Sequence, residues 1–175
     1  TAVGSNLYFV ATTAEGRELW KSDGTSSGTV MVKDIHTSDE FDPNNLTVIG
    51  STLYFTATTS SNGSELWKSD GSETGTVLVK DIYEGSGSSG ISLQTVMGGK
   101  LYFSAQGYTS SNGSDGNELW VSDGTSSGTV QVKDIYSGSS GSYPSLQLVS
   151  GSTLFFTAST SAEGHELWKT DGTTT

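Results

Sequence analysis

The groups in this chain that could do chemistry are nineteen Asp and Glu, two His and a large excess of hydroxyls. There is no cysteine, hence no thiolate nucleophile or ligand and no disulfide. His36 follows Ile35 and His165 precedes Glu166, and no second imidazole or recurring carboxylate accompanies either. A metal pair or a hydrolytic triad needs such a companion, so neither histidine is read as a site. The run Gly85-Ser86-Gly87-Ser88 reads as a linker rather than as the strand-to-helix elbow that presents a nucleophilic serine. The carboxylates are better placed. Asp-Gly recurs as Asp23-Gly24, Asp70-Gly71, Asp123-Gly124 and Asp171-Gly172, and Asp with loop carbonyls makes a hard-oxygen environment suited to Ca²⁺. One carboxylate per turn is too few for such an ion. The competing reading is structural: Asp hydrogen-bonds backbone N–H groups two residues on, and Gly accepts a positive φ. The densest acidic cluster, Asp39, Glu40 and Asp42 ahead of Pro43, is the weak metal candidate. No catalytic residue and no cofactor is expected, calcium being the one ion this inventory could suit.

The elements that must position these groups are set by a repeat. Glu18-Leu19-Trp20, Glu65-Leu66-Trp67, Glu118-Leu119-Trp120 and Glu166-Leu167-Trp168 each precede an Asp-Gly after two residues, and the tryptophans are spaced by 47, 53 and 48 positions. Such a period marks a repeat architecture. Each unit reads as four short strands. The first is aromatic (Leu7 to Val10, Leu53 to Thr56, Leu101 to Ser104, Leu154 to Thr157) and the second carries Glu-Leu-Trp. The third runs from Thr29 to Ile35, Thr76 to Ile82 and Thr129 to Ile135. The fourth, weaker strand spans Asn45 to Ile49, Ser92 to Val96 and Ser145 to Val149. Alternation in the third strand places the pair Val30 and Val32 against the core and leaves Met31, Leu78 and Gln131 at a partly exposed position. No window shows apolar residues at helical spacing. Trp20, Trp67, Trp120 and Trp168 are expected to pack blade on blade, with sugar stacking as the other use of a recurring indole. Glu18, Glu65, Glu118 and Glu166 are expected to pair with Lys33, Lys80 and Lys133 on neighbouring strands. The loops at 106 to 117 and 36 to 45 vary most between copies, which is where a rigid scaffold places binding.

Composition narrows the partners. The net charge of −11 argues against nucleic acid and anionic membrane surfaces, which need a basic footprint, and no apolar run reaches the roughly 18 residues of a membrane span. Ser and Thr supply 55 of 175 residues. That fits β-strands and turns, and also a secreted, glycosylated surface, for which Asn45, Asn62 and Asn112 stand in Asn-x-Ser/Thr acceptor sequences.

Glu-Leu-Trp-Lys-Ser-Asp-Gly-Thr at 18 to 25, its copies at 118 to 125 and 166 to 173, and the downstream Gly-Thr-Val-x-Val-Lys-Asp-Ile segment resemble the ELWxxDGT repeat family. Ser72 stands where the pattern has Thr. The resemblance implies propeller-like bacterial extracellular repeats and no defined activity. The expected fold is therefore all-β, a β-propeller-like array of four-stranded antiparallel blades, about 3.5 in this chain. Its units are 1 to 49, 50 to 97, 98 to 149 and a partial fourth at 150 to 175, which holds two strands. A half blade exposes an edge and an apolar face. It implies a segment of a longer array, a dimer that sums to seven blades, or a head-to-tail filament. The expected function is a non-catalytic extracellular or cell-surface structural or adhesive protein. It would self-associate with identical chains or neighbouring repeats, without nucleic acid or membrane insertion. A lectin-like carbohydrate-binding propeller is the alternative. A propeller hydrolase is the third reading, with only the copied Asp34, Asp81 and Asp134 to offer.

Overall fold

The structure is a computed structural model, and it describes residues 1–14, 16–35 and 42–173. His36, Asp39 and Glu40 lie outside the described residues, with most of the variable loop at 36 to 45. The described chain is all-β. Its first sheet holds β1 (Ala2–Val3), β2 (Asn6–Thr13), β3 (Gly16–Ser22) and β4 (Val30–Lys33). The second holds β5 (Asn44–Ile49), β6 (Thr52–Thr59), β7 (Gly63–Ser69) and β8 (Val77–Lys80). The third holds β9 (Ser92–Met97), β10 (Lys100–Thr109), β11 (Gly113–Ser122) and β12 (Val130–Lys133). The fourth holds β13 (Ser145–Ser150), β14 (Thr153–Thr160) and β15 (Gly164–Thr170). Strands follow one another in chain order within each sheet, and every pairing is antiparallel.

Sheets and sequence units are out of phase by one strand. The segment at 45 to 49 pairs with β6, not with β4, and so opens the second sheet. The same offset gives the fourth sheet three strands rather than two. Two-residue connections at Gly50-Ser51, Gly98-Gly99 and Gly151-Ser152 make the weak strand a hairpin partner of the aromatic strand that follows. These opening strands lie next to one another across sheets: Thr47 Oγ1 of β5 donates to Gln94 Oε1 of β9 at 3.0 Å.

Register is constant. Phe9, Phe55, Phe103 and Phe156 stand directly opposite Trp20, Trp67, Trp120 and Trp168, the cross-strand aromatic pair that stabilises an antiparallel face. That face packs on the preceding sheet. Tyr8, Leu19 and Val32 of the first sheet meet Leu53, Phe55 and Trp67 of the second, and two further clusters repeat the arrangement at the next junctions. Full burial of a side chain such as Phe55 contributes about 1.5–3 kcal/mol.

Simple alternation fails in the outer strand. Leu19 pairs with Lys33 and Trp20 with Met31, so Val32 is an extra residue, and the same bulge recurs at Leu66 and Leu119. Consequently Val32, Val79 and Val132 are core, whereas Val30 and Val77 remain well exposed. The bulge also corrects the expected Glu–Lys pairs. Lys33 and Lys80 oppose Leu19 and Leu66, and opposed residues share a face while the adjacent Glu points to the other. The segment at 106 to 117 is likewise not an open loop. β10 continues to Thr109 and β11 resumes at Gly113.

Candidate functional site

The Asp-Gly turns build themselves from hydroxyls. Asp23 Oδ1 accepts from Thr25 N at 2.9 Å and Thr25 Oγ1 at 2.7 Å, and Thr25 Oγ1 in turn accepts from Gly28 N at 2.9 Å. Thr29 Oγ1 donates to the Thr25 carbonyl at 2.7 Å. Asp70, Ser72, Gly75 and Thr76 reproduce these bonds, as do Asp123, Thr125, Gly128 and Thr129. Ser72 therefore replaces Thr without loss, because the turn uses the hydroxyl and not the methyl. A Cβ at Gly28, Gly75 or Gly128 would overlap the Asp carboxylate. The hydrogen bonds from Thr25, Ser72 and Thr125 hold Asp23, Asp70 and Asp123 below the usual carboxylate range, and those from Thr173 do the same for Asp171. No group of three or more Asp, Glu or His within reach of one ion occurs among the described residues. Asp42 Oδ1 lies 3.0 Å from Arg17 Nε.

The turns of the second, third and fourth sheets also dock on the sheet before them. Lys21 Nζ donates to the Gly71 carbonyl at 2.6 Å and Lys33 Nζ to the Thr76 carbonyl at 2.9 Å. One sheet on, Lys68 reaches Gly124 O at 2.8 Å and Lys80 reaches Thr129 O at 2.9 Å. The Tyr8, Tyr54 and Tyr102 hydroxyls lie against Gly71, Gly124 and Gly172, where a Cβ would collide with them. Burial raises all three phenols above their ordinary value, and the neighbouring Asp70, Asp123 and Asp171 charges add to the effect. Lysine and tyrosine of one sheet thus grip the turn of the next. At the third junction Val121 stands in the place of Lys21 and Lys68, and Tyr102 keeps its role.

The residues missed by sequence reasoning are the glutamates. Glu18, Glu65 and Glu118 are wholly buried. Glu65 accepts from Ile82 N, Tyr83 N and Ser89 N at 3.1, 3.2 and 3.1 Å. Glu118 accepts from Ile135 N, Tyr136 N and Ser142 N at 3.1, 3.3 and 2.8 Å, and from Ser142 Oγ at 2.6 Å. The Glu65 and Glu118 carboxylates pin the chain that leaves the outer strand toward the next sheet. Glu166, whose downstream strand is absent from the described residues, is exposed. A signal was present: the same Glu precedes Leu-Trp in every copy, and it stands opposite an Ala (Ala11, Ala57, Ala105, Ala158) small enough to admit it.

Burial pushes the Glu65 carboxyl up to about 7, the donated hydrogen bonds pulling against it and Asp81 adding to it; Glu118 moves the same way, burial again leading. Between the ordinary value of 4.5 and about 7 the folded protein holds protons that the unfolded chain has released, so stability falls as pH rises through that window. The turn aspartates act oppositely. Their stabilisation is present above 3.8 and is lost as pH falls below it. Urea midpoints across pH are therefore expected to peak near pH 4 to 5 and to decline toward pH 8, the Glu65 part on the order of 3 kcal/mol. A flat profile from pH 5 to 8 would contradict this assignment.

Trp67 and Trp120 are 8% and 7% exposed, so neither has an open face for a sugar. Lys80 Nζ lies 5.9 Å from the Trp120 ring centroid. Trp20 and Trp168 are half-buried. Trp168 lines a cleft of about 440 Å³ between the third and fourth sheets, with Leu119, Val132, Lys133, Ile135 and Asp171. Of the glycosylation candidates, Asn62 Nδ2 is engaged by Asp81 Oδ2 at 2.9 Å and Asn45 Nδ2 by Thr56 Oγ1 at 3.3 Å. Asn112 is exposed in the β10–β11 hairpin, held there through its backbone N–H by Thr109 Oγ1 at 3.1 Å. Asp34 and Asp134 are exposed and, like Asp81, follow the outer strand, away from the opening strands that face one another. Among the described residues no helix is long and apolar enough to cross a membrane.

No protein-family model matches the chain, and no curated protein sequence does. Solved structures do. The apo form of prolyl oligopeptidase B from Galerina marginata aligns over 97% of this chain with a TM-score of 0.53 and 16% identity. The sheets are propeller blades in form. The chain spans 23% of that protein's length, and at this identity the likeness concerns the fold alone. A novel α-L-arabinofuranosidase from Clostridium thermocellum aligns over 89% of this chain and 58% of its own, at 14% identity and a TM-score of 0.36, which carries no argument.

Proposed function

We propose that this protein is a non-catalytic structural repeat of the ELWxxDGT type, working at the cell surface or outside the cell by stacking blade on blade. The observation that carries the reading is the junction. Three successive junctions pack the same Tyr, Leu, Val, Phe and Trp positions, and lysine or tyrosine clasps the following turn at each. The repeated apolar residues are accounted for by sheet-to-sheet contact, and Asp23, Asp70, Asp123, Glu65 and Glu118 by hydrogen bonds from backbone N–H groups. The acidic, hydroxyl-rich composition supports a solvated exterior, and net charge far from zero favours solubility. Cryo-electron microscopy of the purified chain tests this reading. Multi-copy rings or filaments are expected; a field of single particles at all concentrations would overturn it.

One observation favours carbohydrate binding as a second reading. Tyr143 is 68% exposed with φ of 47°, at the position where the preceding repeat has Gly90 with φ of 59°. A left-handed backbone costs a non-glycine residue about 1–2 kcal/mol, so an exposed aromatic is held there against strain, ready to stack on a sugar face. Tyr143→Gly is expected to raise stability by roughly 0.5–1 kcal/mol while abolishing binding to any glycan that a panel screen detects. Unchanged glycan binding in that variant would remove the support for this reading.

A further inference from the structure

The two outward faces of the array are the two halves of its internal junction. On the receiving side, Leu53, Leu101 and Leu154 are fully buried against the preceding sheet, whereas the equivalent Leu7 of the first sheet is 52% exposed. On the presenting side, Leu19, Leu66 and Leu119 are 0%, 0% and 1% exposed, whereas the equivalent Leu167 of the fourth sheet is 68% exposed. The polar parts match as well. The turn at 22 to 29 has the same internal hydrogen bonds as its copies at 69 to 76 and 122 to 129. Its Gly24 and Thr29 carbonyls receive no lysine among the described residues, and a Cβ at Gly24 would meet nothing. Lys169 of the fourth sheet occupies the position of Lys21 and Lys68, which clasp such a carbonyl, and is exposed. Phe155 occupies the position of Tyr8, Tyr54 and Tyr102.

The geometry points to a heterologous contact in which the fourth-sheet face of one copy of this chain docks on the first-sheet face of a second copy. Leu167 and Phe155 cover Leu7 and Phe9, and Lys169 donates to the Gly24 carbonyl. The occupant is a second copy because the pattern this face is built to receive (an aromatic on one strand, Leu and Lys on the next) is the one the other end presents; its aromatic and Leu seat at all three junctions within the chain and its Lys at the first two. The inference rests on the self-assembly reading above and specifies its contact. A contact of this kind runs head to tail, closing into a ring or continuing as a filament according to the rotation between copies.

Two single variants test it, Leu7→Asp in the receiving face and Leu167→Asp in the presenting face. Both residues are exposed in the isolated chain, so circular dichroism and the urea midpoint are expected to stay unchanged. In the docked state either carboxylate would be buried without a partner, and each variant alone is expected to associate at least about a hundredfold more weakly than the parent. Mixed one to one they retain one live face each, so sedimentation velocity is expected to show a dimer that grows no further. Lys169→Met is expected to weaken that mixed dimer about tenfold, the effect of one charge-assisted hydrogen bond. Parent chain that stays monomeric to its solubility limit would overturn both the inference and the self-assembly reading. Parent assembly that both Asp variants preserve would overturn the inference and leave self-assembly standing, with the contact at a sheet edge. Monomeric variants that do not combine would overturn the head-to-tail geometry.

Discussion

Replacing Glu65 by Ala is expected to lower the stability of the chain by about 3–5 kcal/mol. The wild-type carboxylate answers the Ile82 and Tyr83 N–H groups and shares the Ser89 N–H with the Ser64 carbonyl. Without it the buried Ile82 N–H and the partly buried Tyr83 N–H lose their partner among the described residues and the Ser89 N–H keeps half of its bonding, and each unsatisfied buried group costs about 1–3 kcal/mol. Glu65→Gln keeps one acceptor oxygen but turns an amide NH₂ toward an N–H, so a loss of about 1–3 kcal/mol is expected. Gln cannot titrate, so that variant should also lose the Glu65 share of the decline in stability between pH 5 and 8. Glu166→Ala is the internal control. The same phrase surrounds it in sequence, yet it is exposed, and a change within about 0.5 kcal/mol is expected. Urea midpoints of the three variants decide the matter. Equal effects at Glu65 and Glu166 would mean that the carboxylate acts through the turn chemistry common to both, not through burial.

That contrast shows what could be read from the residues alone. The strand count per repeat, the aromatic first strand, the Asp-Gly turn and the use of Trp in packing follow from local signals. Those signals are the period of the phrase, alternation, and hydroxyls two residues from an Asp. The bonds of Glu65 are not local. They join residues 17 to 24 positions apart, and a lone Glu beside Leu-Trp reads as the solvent face of a strand. The lysine assignment failed for a related reason. One extra residue at Val32 rotates Lys33 to the face of Leu19, and no feature of Val-Met-Val-Lys announces a bulge. The phase of the repeat was hidden because the period alone does not say which neighbour the weak strand pairs with; a long connection precedes it, from Lys33 to Asn44, Lys80 to Ser92 and Lys133 to Ser145, and a short one follows. The two-residue hairpin on its C-terminal side decides which. The site shared the fate of these features: its parts were legible as turn, Trp and Lys, but the clasp between sheets exists only once the faces are set.

Gly71→Ala tests that clasp and is expected to cost about 2–4 kcal/mol. Two effects add. Gly71 has φ of 89°, a conformation that costs an L-residue about 1–2 kcal/mol, and its new Cβ would overlap the Tyr8 hydroxyl, whose relief by shifting the packed sheet costs about 1–3 kcal/mol. Gly24→Ala isolates the first effect. Its φ is 91° and a Cβ there meets nothing within 4 Å, so a loss of about 1–2 kcal/mol is expected. The double-mutant cycle separates the second. Tyr8→Phe removes the oxygen that the Cβ would strike, so Gly71→Ala should cost about 1 kcal/mol less in that background. Additivity of the two substitutions would mean that the tyrosine does not bear on the turn. A coupling term of the expected sign would show that the Asp-Gly glycine is required twice over, once for its own turn and once for the sheet that docks on it. The second requirement is why the substitution should be cheaper at Gly24, where a Cβ meets nothing among the described residues, than at Gly71, Gly124 or Gly172, where it meets a tyrosine hydroxyl.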